Sequence, residues 1–343
     1  MSDPGSADVR RVNLALQGGG AHGAFTWGVL DRLLEEPGLR IDGISGTSAG
    51  AMNAAALAQG FVDGKAAGAR AALDRFWGRI AEVGAMSPLQ RSVLDRLLGS
   101  WRMDRSPAYL AFDLFTRMLS PYQFNPLNLN PLRDLLDDAI DFERVRACRD
   151  LNLFVSATNV RTGKIRVFTN PELSAGAIMA SACLPFLFQA VELDGEAYWD
   201  GGYMGNPAIY PLIYGCRSAD VIIVQINPLR REDVPKTAYD IMNRVSEISF
   251  NSTLMREMRA VHFVTRLIDD GLLDRARYKR MLIHMIEADE ALKPLGASSK
   301  LNAEPEFLLH LKAIGRRTCD DWLGRNRERI GIESTVDLEA TWL

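Results

Sequence analysis

The sequence is short of several features that would place a chain quickly. Its four cysteines (Cys148, Cys183, Cys216 and Cys319) are scattered, with no C-x-x-C pair and no zinc-ligand spacing. A disulfide framework and a structural zinc site are therefore not expected, and reduced, buried thiols of a cytoplasmic protein are the simplest reading. No uninterrupted apolar run is long enough to span a bilayer. Residues 1–11 form a polar N-terminal tail without the apolar core of a secretory signal. The net charge is only -3, which gives no sequence-wide bias toward nucleic acid. Repeats, low-complexity tracts and domain-dividing linkers are absent.

What remains is an ordinary globular composition, 47% hydrophobic and 24% charged over 343 residues, enough for one large α/β domain or two modest ones. Residues 12–17 (VNLALQ) read as a short buried strand, followed by a helix over 23–36 with Phe25, Val29, Leu30, Leu33 and Leu34 on a helical period. A second strand over 39–45 leads to a helix over 49–59, alanine-rich and apolar nearly all round, as in a tightly buried helix. Strand–helix–strand–helix order predicts a parallel βαβ core. Residues 65–130 change texture. They begin helical and become rich in Met, Trp, Phe, Tyr and Pro, with Leu94, Leu97, Leu98, Trp101, Tyr109, Phe112 and Phe115 prominent. The reading is a helical insertion packed mainly on the core, with lid behaviour secondary. Further strands are predicted over 151–158, 164–169, 191–193, 196–199, 220–226 (a central one) and 281–286. Helices are predicted over 174–183, 239–270 and 304–329.

Two glycine turns carry the chemistry. Gly46-Thr47-Ser48-Ala49-Gly50 follows a predicted strand and opens a predicted helix, the context that the G-x-S-x-G elbow requires. Such a turn lifts a serine hydroxyl above the sheet edge, and the helix N-terminus favours developing negative charge. The plainer reading is a tight turn whose serine merely caps the helix. Gly18-Gly19-Gly20-Ala21-His22-Gly23 has two readings. As Gly18-x-Gly20-x-x-Gly23, with Asp42 downstream, it fits a dinucleotide-binding fingerprint. As a donor loop beside the elbow it fits an oxyanion hole, worth roughly two to three orders of magnitude in rate. The second is preferred because it uses both turns at once, and Asp42 falls inside its strand rather than at the end.

A serine nucleophile needs a base. Of the four histidines, His22 lies in the glycine loop, His262 and His310 in predicted helices, and His284 in a predicted strand, whereas an α/β-hydrolase places its histidine on a late loop. Asp200, in the glycine-rich turn Asp200-Gly201-Gly202, is the better candidate, since desolvation would strengthen a buried carboxylate as a base. A simple turn fits those three residues equally well.

Taken together, these segments resemble the patatin-like phospholipases, which combine a glycine-rich oxyanion loop, a G-x-S-x-G serine and a downstream Asp-Gly-Gly or Asp-Gly-Ala. Ala180-Ser181-Ala182-Cys183-Leu184-Pro185-Phe186 resembles the segment that precedes the family's aspartate, and Asn206-Pro207 its asparagine–proline pair. The likeness covers about residues 12–227. It implies Ser48 as nucleophile, Asp200 as base in a Ser–Asp dyad, and Gly18, Gly19 and Gly20 as the oxyanion hole. Gly23, Gly46, Gly50, Gly201 and Gly202 would support the motifs. It also implies a three-layer α/β/α fold with a largely parallel sheet, a catalytic domain over 12–227 carrying the insertion, and a mainly helical extension over 228–343 packed on the same domain. The expected activity is hydrolysis of a lipid acyl ester with neither metal nor cofactor, at a cytoplasmic site in peripheral contact with membrane. The exposure of Leu184, Phe186, Leu187 and Phe188 would provide that contact, and a place in the core fits these four residues equally well. A thioester or storage polyester is the alternative substrate. The chain departs from the family at His22, where Arg or Lys is common. Histidine is often neutral near pH 7, so any help this position gives an anionic head group is in question.

Overall fold

The computed structural model describes residues 9–343. Five strands run parallel in the order β8-β7-β1-β2-β3: β1 is Arg10–Leu16, β2 Leu39–Gly46, β3 Asn152–Asn159, β7 Asp220–Val224 and β8 Leu282–Ile286. Strands β4 (Ile165–Thr169) and β6 (Glu196–Asp200) pair antiparallel with β3, and β5 (Val191–Leu193) closes that edge on β6. The strand expected to be central, β7, is interior but sits one place from the edge, between β1 and β8. Residues 10 and 11, expected in the polar tail, already belong to β1, where Arg10 N–H donates to Gly38 O at 2.8 Å; residues 1–8 lie outside the described residues.

The pleat divides the strands between two cores. Val12, Leu14, Leu16, Ile222 and Val224 face one core, while Ala15, Val221 and Ile223 face the other. Both faces are therefore covered, which explains the near-continuous apolar runs. Helices α1 (Gly23–Leu33), α2 (Ala49–Ala85) and Pro305–Asn326 fill the first face. Helices Ala238–Asp269 and Leu338–Trp342 cover the second with Leu254, Met258, Leu338 and Trp342. The apolar stripe predicted on α1 understates its burial, because Pro305–Asn326 lies along it and only Arg32 escapes the buried set.

Residues 49–60 of α2 are buried throughout, as the alanine run predicts. Non-helical backbone at Gly64 and Lys65 breaks the helix where the insertion was expected to begin. Beyond the break Leu73, Phe76 and Trp77 are still core residues, and Trp77 stacks on Trp27 with centroids 6.0 Å apart. The change of character comes only after Ala85, in short helices such as Val93–Leu97 and Pro107–Met118. There Met103 and Tyr109 are buried and Trp101 stacks on Phe307, but Leu94, Leu97, Leu98 and Phe115 face solvent, against the expectation of packing. Helices of one to three turns in a single layer have no second layer to bury their outer face. No helix among the described residues is long and apolar enough to cross a membrane.

Candidate active site

Leu16 and Gly46 are register partners, so the glycine loop after β1 and the elbow after β2 leave the same edge of the sheet side by side. Ser48 sits at φ 54°, ψ -120°, a sparsely populated conformation for a side-chain-bearing residue, and holds the N-cap position of α2 without a side-chain capping bond. Three bonds hold the turn: Ser48 N–H to Ser181 Oγ (2.9 Å), Thr47 N–H to Leu16 O (3.3 Å) and Thr47 Oγ1 to Gly205 O (2.6 Å). The loops touch. A Cβ on Gly18 would lie 2.8 Å from Ser48 Cβ, and one on Gly50 would collide with Leu16 O. Both positions need glycine for close approach.

Asp200 ends β6. Its N–H donates to Cys183 O (2.7 Å), and its carbonyl accepts from Thr158 Oγ1 (2.8 Å). The carboxylate is buried, accepts the Gly202 N–H at 2.7 Å, and receives a hydrogen-bonding contribution from the Ser48 hydroxyl. Burial raises its pKa from 3.8 to about 7, and the Gly202 N–H, Ser48 and Lys300 pull the other way.

The three glycines of the first loop divide. Gly18 N–H donates to Asn206 Oδ1 at 2.7 Å, so that donor is occupied and the expected three-glycine oxyanion set is not free as a whole. The N–H groups of Gly19 and Gly20 have no hydrogen-bond partner among the described residues. Asn206 thus acquires a role that the asparagine–proline resemblance left unassigned. Gln17, Asn227 and Lys300 were missed by sequence reasoning. Gln17 Oε1 accepts the N–H groups of Ile226 and Asn227, each at 2.9 Å. Asn227 Nδ2 donates to Gly18 O (2.9 Å), and Lys300 Nζ donates to Asn227 Oδ1 (2.7 Å). Polar residues just beyond apolar strands, as in Leu16-Gln17 and Ile226-Asn227, were the available signal; Lys300 offered none. Gly18, Gly19, Gly20, Ser48, Asp200 and Lys300 line one cavity of about 80 Å3, closed further by Leu184, Phe250 and Leu301.

None of the histidines occupies the position of a base. His22 is buried with its Nε2 2.8 Å from Ser299 Oγ, and burial, with Lys300 nearby, lowers its pKa to about 3, so it is neutral. His284 pairs with Asp220 at 2.9 Å, and His310 stacks on Trp101. Asp42, the acid required by the dinucleotide reading, is bonded to the N–H groups of Arg217 and Ser218 in the first half of β2. It joins two segments of the fold, away from the strand end where a ribose would bind. Among the described residues no three His, Cys, Asp or Glu side chains are grouped to hold a metal.

Fold and site define an α/β protein with a serine on a strand-to-helix elbow, a buried carboxylate beside it and a glycine loop facing both. Residues 14–213 match the family model described as Patatin-like phospholipase, and the chain belongs to that family; it is a lipid ester hydrolase. No curated protein matches its sequence. Among solved structures, VipD from Legionella pneumophila is similar at 16% identity and a TM-score of 0.38, over 89% of this chain and 67% of VipD. The ExoU–SpcU complex from the type III secretion system of Pseudomonas aeruginosa is similar at 21% identity and a TM-score of 0.30, over 72% of this chain. The match covers 50% of that structure's chain.

Proposed function

We propose that the protein hydrolyses lipid acyl esters with Ser48 as nucleophile and Asp200 as its only side-chain base. The carboxylate takes the hydroxyl proton as Ser48 Oγ attacks the ester carbonyl, and returns it to the departing alcohol. Water then enters, gives a proton to Asp200 and its hydroxide to the acyl carbon; as the bond to Ser48 Oγ breaks, Asp200 returns that proton to Ser48 and the fatty acid leaves. Gly19 and Gly20 supply the oxyanion donors, and Gly18 serves to anchor their loop through Asn206. The observation that carries this reading is the convergence on one cavity of Ser48, the buried Asp200 carboxylate and the Gly19 and Gly20 amides, unpaired among the described residues. Burial pushes the Asp200 pKa up to about 7, which suits a group that must both take and return a proton near neutrality.

The catalytic region 12–227 and the extension 228–343 are read as one working unit, because Pro305–Asn326 shares the core of β1 and α1. Peripheral contact with lipid is supported by exposed Phe186, three residues from Cys183 on the segment that bonds Asp200. A cytoplasmic setting is supported by four buried, free thiols.

The test is labelling by a fluorophosphonate together with an ester panel, run on wild type, Ser48→Ala and Asp200→Asn. Labelling and hydrolysis lost in Ser48→Ala support the reading. A Ser48→Ala variant that still turns over ester would sink it.

A further inference from the structure

Lys300 comes from the chain 252 positions after Ser48, yet both line the same cavity. The segment that carries it is built in. Ser298, Ser299 and Asn302 are fully buried; Ser298 Oγ accepts the Met103 N–H (3.0 Å), Ser299 Oγ meets His22, and Asn302 Nδ2 donates to Trp101 O (3.1 Å). The Lys300 carbonyl occupies the space that a Cβ on Gly20 would need, so the segment lies directly against the glycine loop.

The ammonium has one hydrogen-bond partner among the described residues, the neutral amide of Asn227. Other cations nearby are matched: Arg231 and Arg244 share Glu247, at 2.6 and 3.1 Å. The charges facing Lys300 are those of Glu247, Arg231 and Asp200, none in an ion pair with it. A partly buried cation that spends only one of its three donors on a neutral group is costly unless an anion arrives to meet it. His22 cannot take that role, being neutral and bonded to Ser299.

We propose that Lys300 is a specificity-determining residue that receives an anionic group carried by the substrate next to its scissile ester, a phosphodiester by preference. The C-terminal extension thereby contributes to substrate choice at the site. This rests on the reading of Ser48 as nucleophile. Asp200 remains the base, and Lys300 takes no part in bond making.

The test compares a short-chain monoacyl glycerophosphodiester with the monoacylglycerol of the same chain, both as dissolved monomers, and a third ester bearing a carboxylate in place of the phosphodiester. Lys300→Met should lower the ratio of kcat/KM for phosphodiester over neutral ester about tenfold or more, the range of one charge-assisted contact. Lys300→Arg should restore most of it. A similar fall for the carboxylate ester shows that any monoanion suffices and removes the phosphodiester preference. Equal losses on all three esters, with the acid limb of the pH profile moved, would mean that Lys300 acts only through Asp200 and would overturn the proposal. So would an unchanged ratio. Fluorophosphonate labelling of Ser48 in the same variants separates these failures from failure of the nucleophile assignment.

Discussion

The sheet edge around Ser48 and the insertion after Ala85 treat their side chains in opposite ways. At the edge, polar groups are buried and held by other polar groups: Gly18 by Asn206, Asn227 by Gln17, Asp200 by Gly202 and Thr158. In the insertion, large apolar groups stand in solvent, with Leu97 80% and Met118 73% exposed. Leaving a buried donor or acceptor unpaired costs about 1–3 kcal/mol, whereas changing an exposed side chain usually costs within about 0.5 kcal/mol. The first region is thus intolerant and geometrically exact. The second is tolerant for folding.

The sharpest way to break this contrast is at the dyad. Ser48→Ala and Asp200→Asn should each lower kcat on a soluble ester on the order of a thousandfold or more, with the fold intact by circular dichroism. A fall of less than about tenfold for Asp200→Asn would remove it as the base.

Next in size is pH. Asp200 accepts a proton only when ionised, and with a pKa of about 7 the rate should fall about tenfold per unit as pH drops below 7. Because its folded pKa exceeds the ordinary 3.8, the folded state retains a proton that the unfolded chain has already released between those values. Wild type should therefore lose stability relative to Asp200→Asn as pH rises from about 4 to about 7, as read from paired melting curves. A flat rate profile, or parallel melting curves, would contradict the burial argument.

Asn206→Ala tests the loop. Freeing the Gly18 N–H should lower kcat about ten- to a hundredfold by loosening Gly19 and Gly20, with KM changed far less. On the other side of the comparison, replacing Leu94, Leu97 and Leu98 together by serine should leave turnover of a soluble ester as it is and reduce hydrolysis of vesicles several-fold. A matching loss on both substrates would make these leucines structural. The smallest effect is expected at His22→Ala, about two- to fivefold in kcat, because that neutral ring acts through Ser299 rather than on substrate. An effect as large as that of Ser48→Ala would overturn the dyad.

Much of the edge was legible beforehand. The elbow is encoded by glycines that must sit beside the backbone of a neighbouring strand, and the apolar runs of β1 and β7 encode strands covered on both faces. Asp200 was singled out by the family resemblance, since a simple turn accounts for Asp200-Gly201-Gly202 equally well. Gly18 was misjudged, since nothing local says that its N–H is taken by a side chain 188 residues away. The leucines after Ala85 were misjudged too, because an apolar composition does not say whether anything lies against those side chains.

By itself, then, the amino-acid order determined the parallel α/β frame, the serine turn and the carboxylate that answers it. Each of these is announced by a local pattern in the sequence, namely apolar runs and residues set among glycines. Only the tertiary structure decided which loop amides are free, that Asp200 is buried enough to reach a pKa of about 7, and that Lys300 enters the cavity. Those are properties of segments brought together from 150 to 280 positions apart, and burial and charge pairing arise only once they meet.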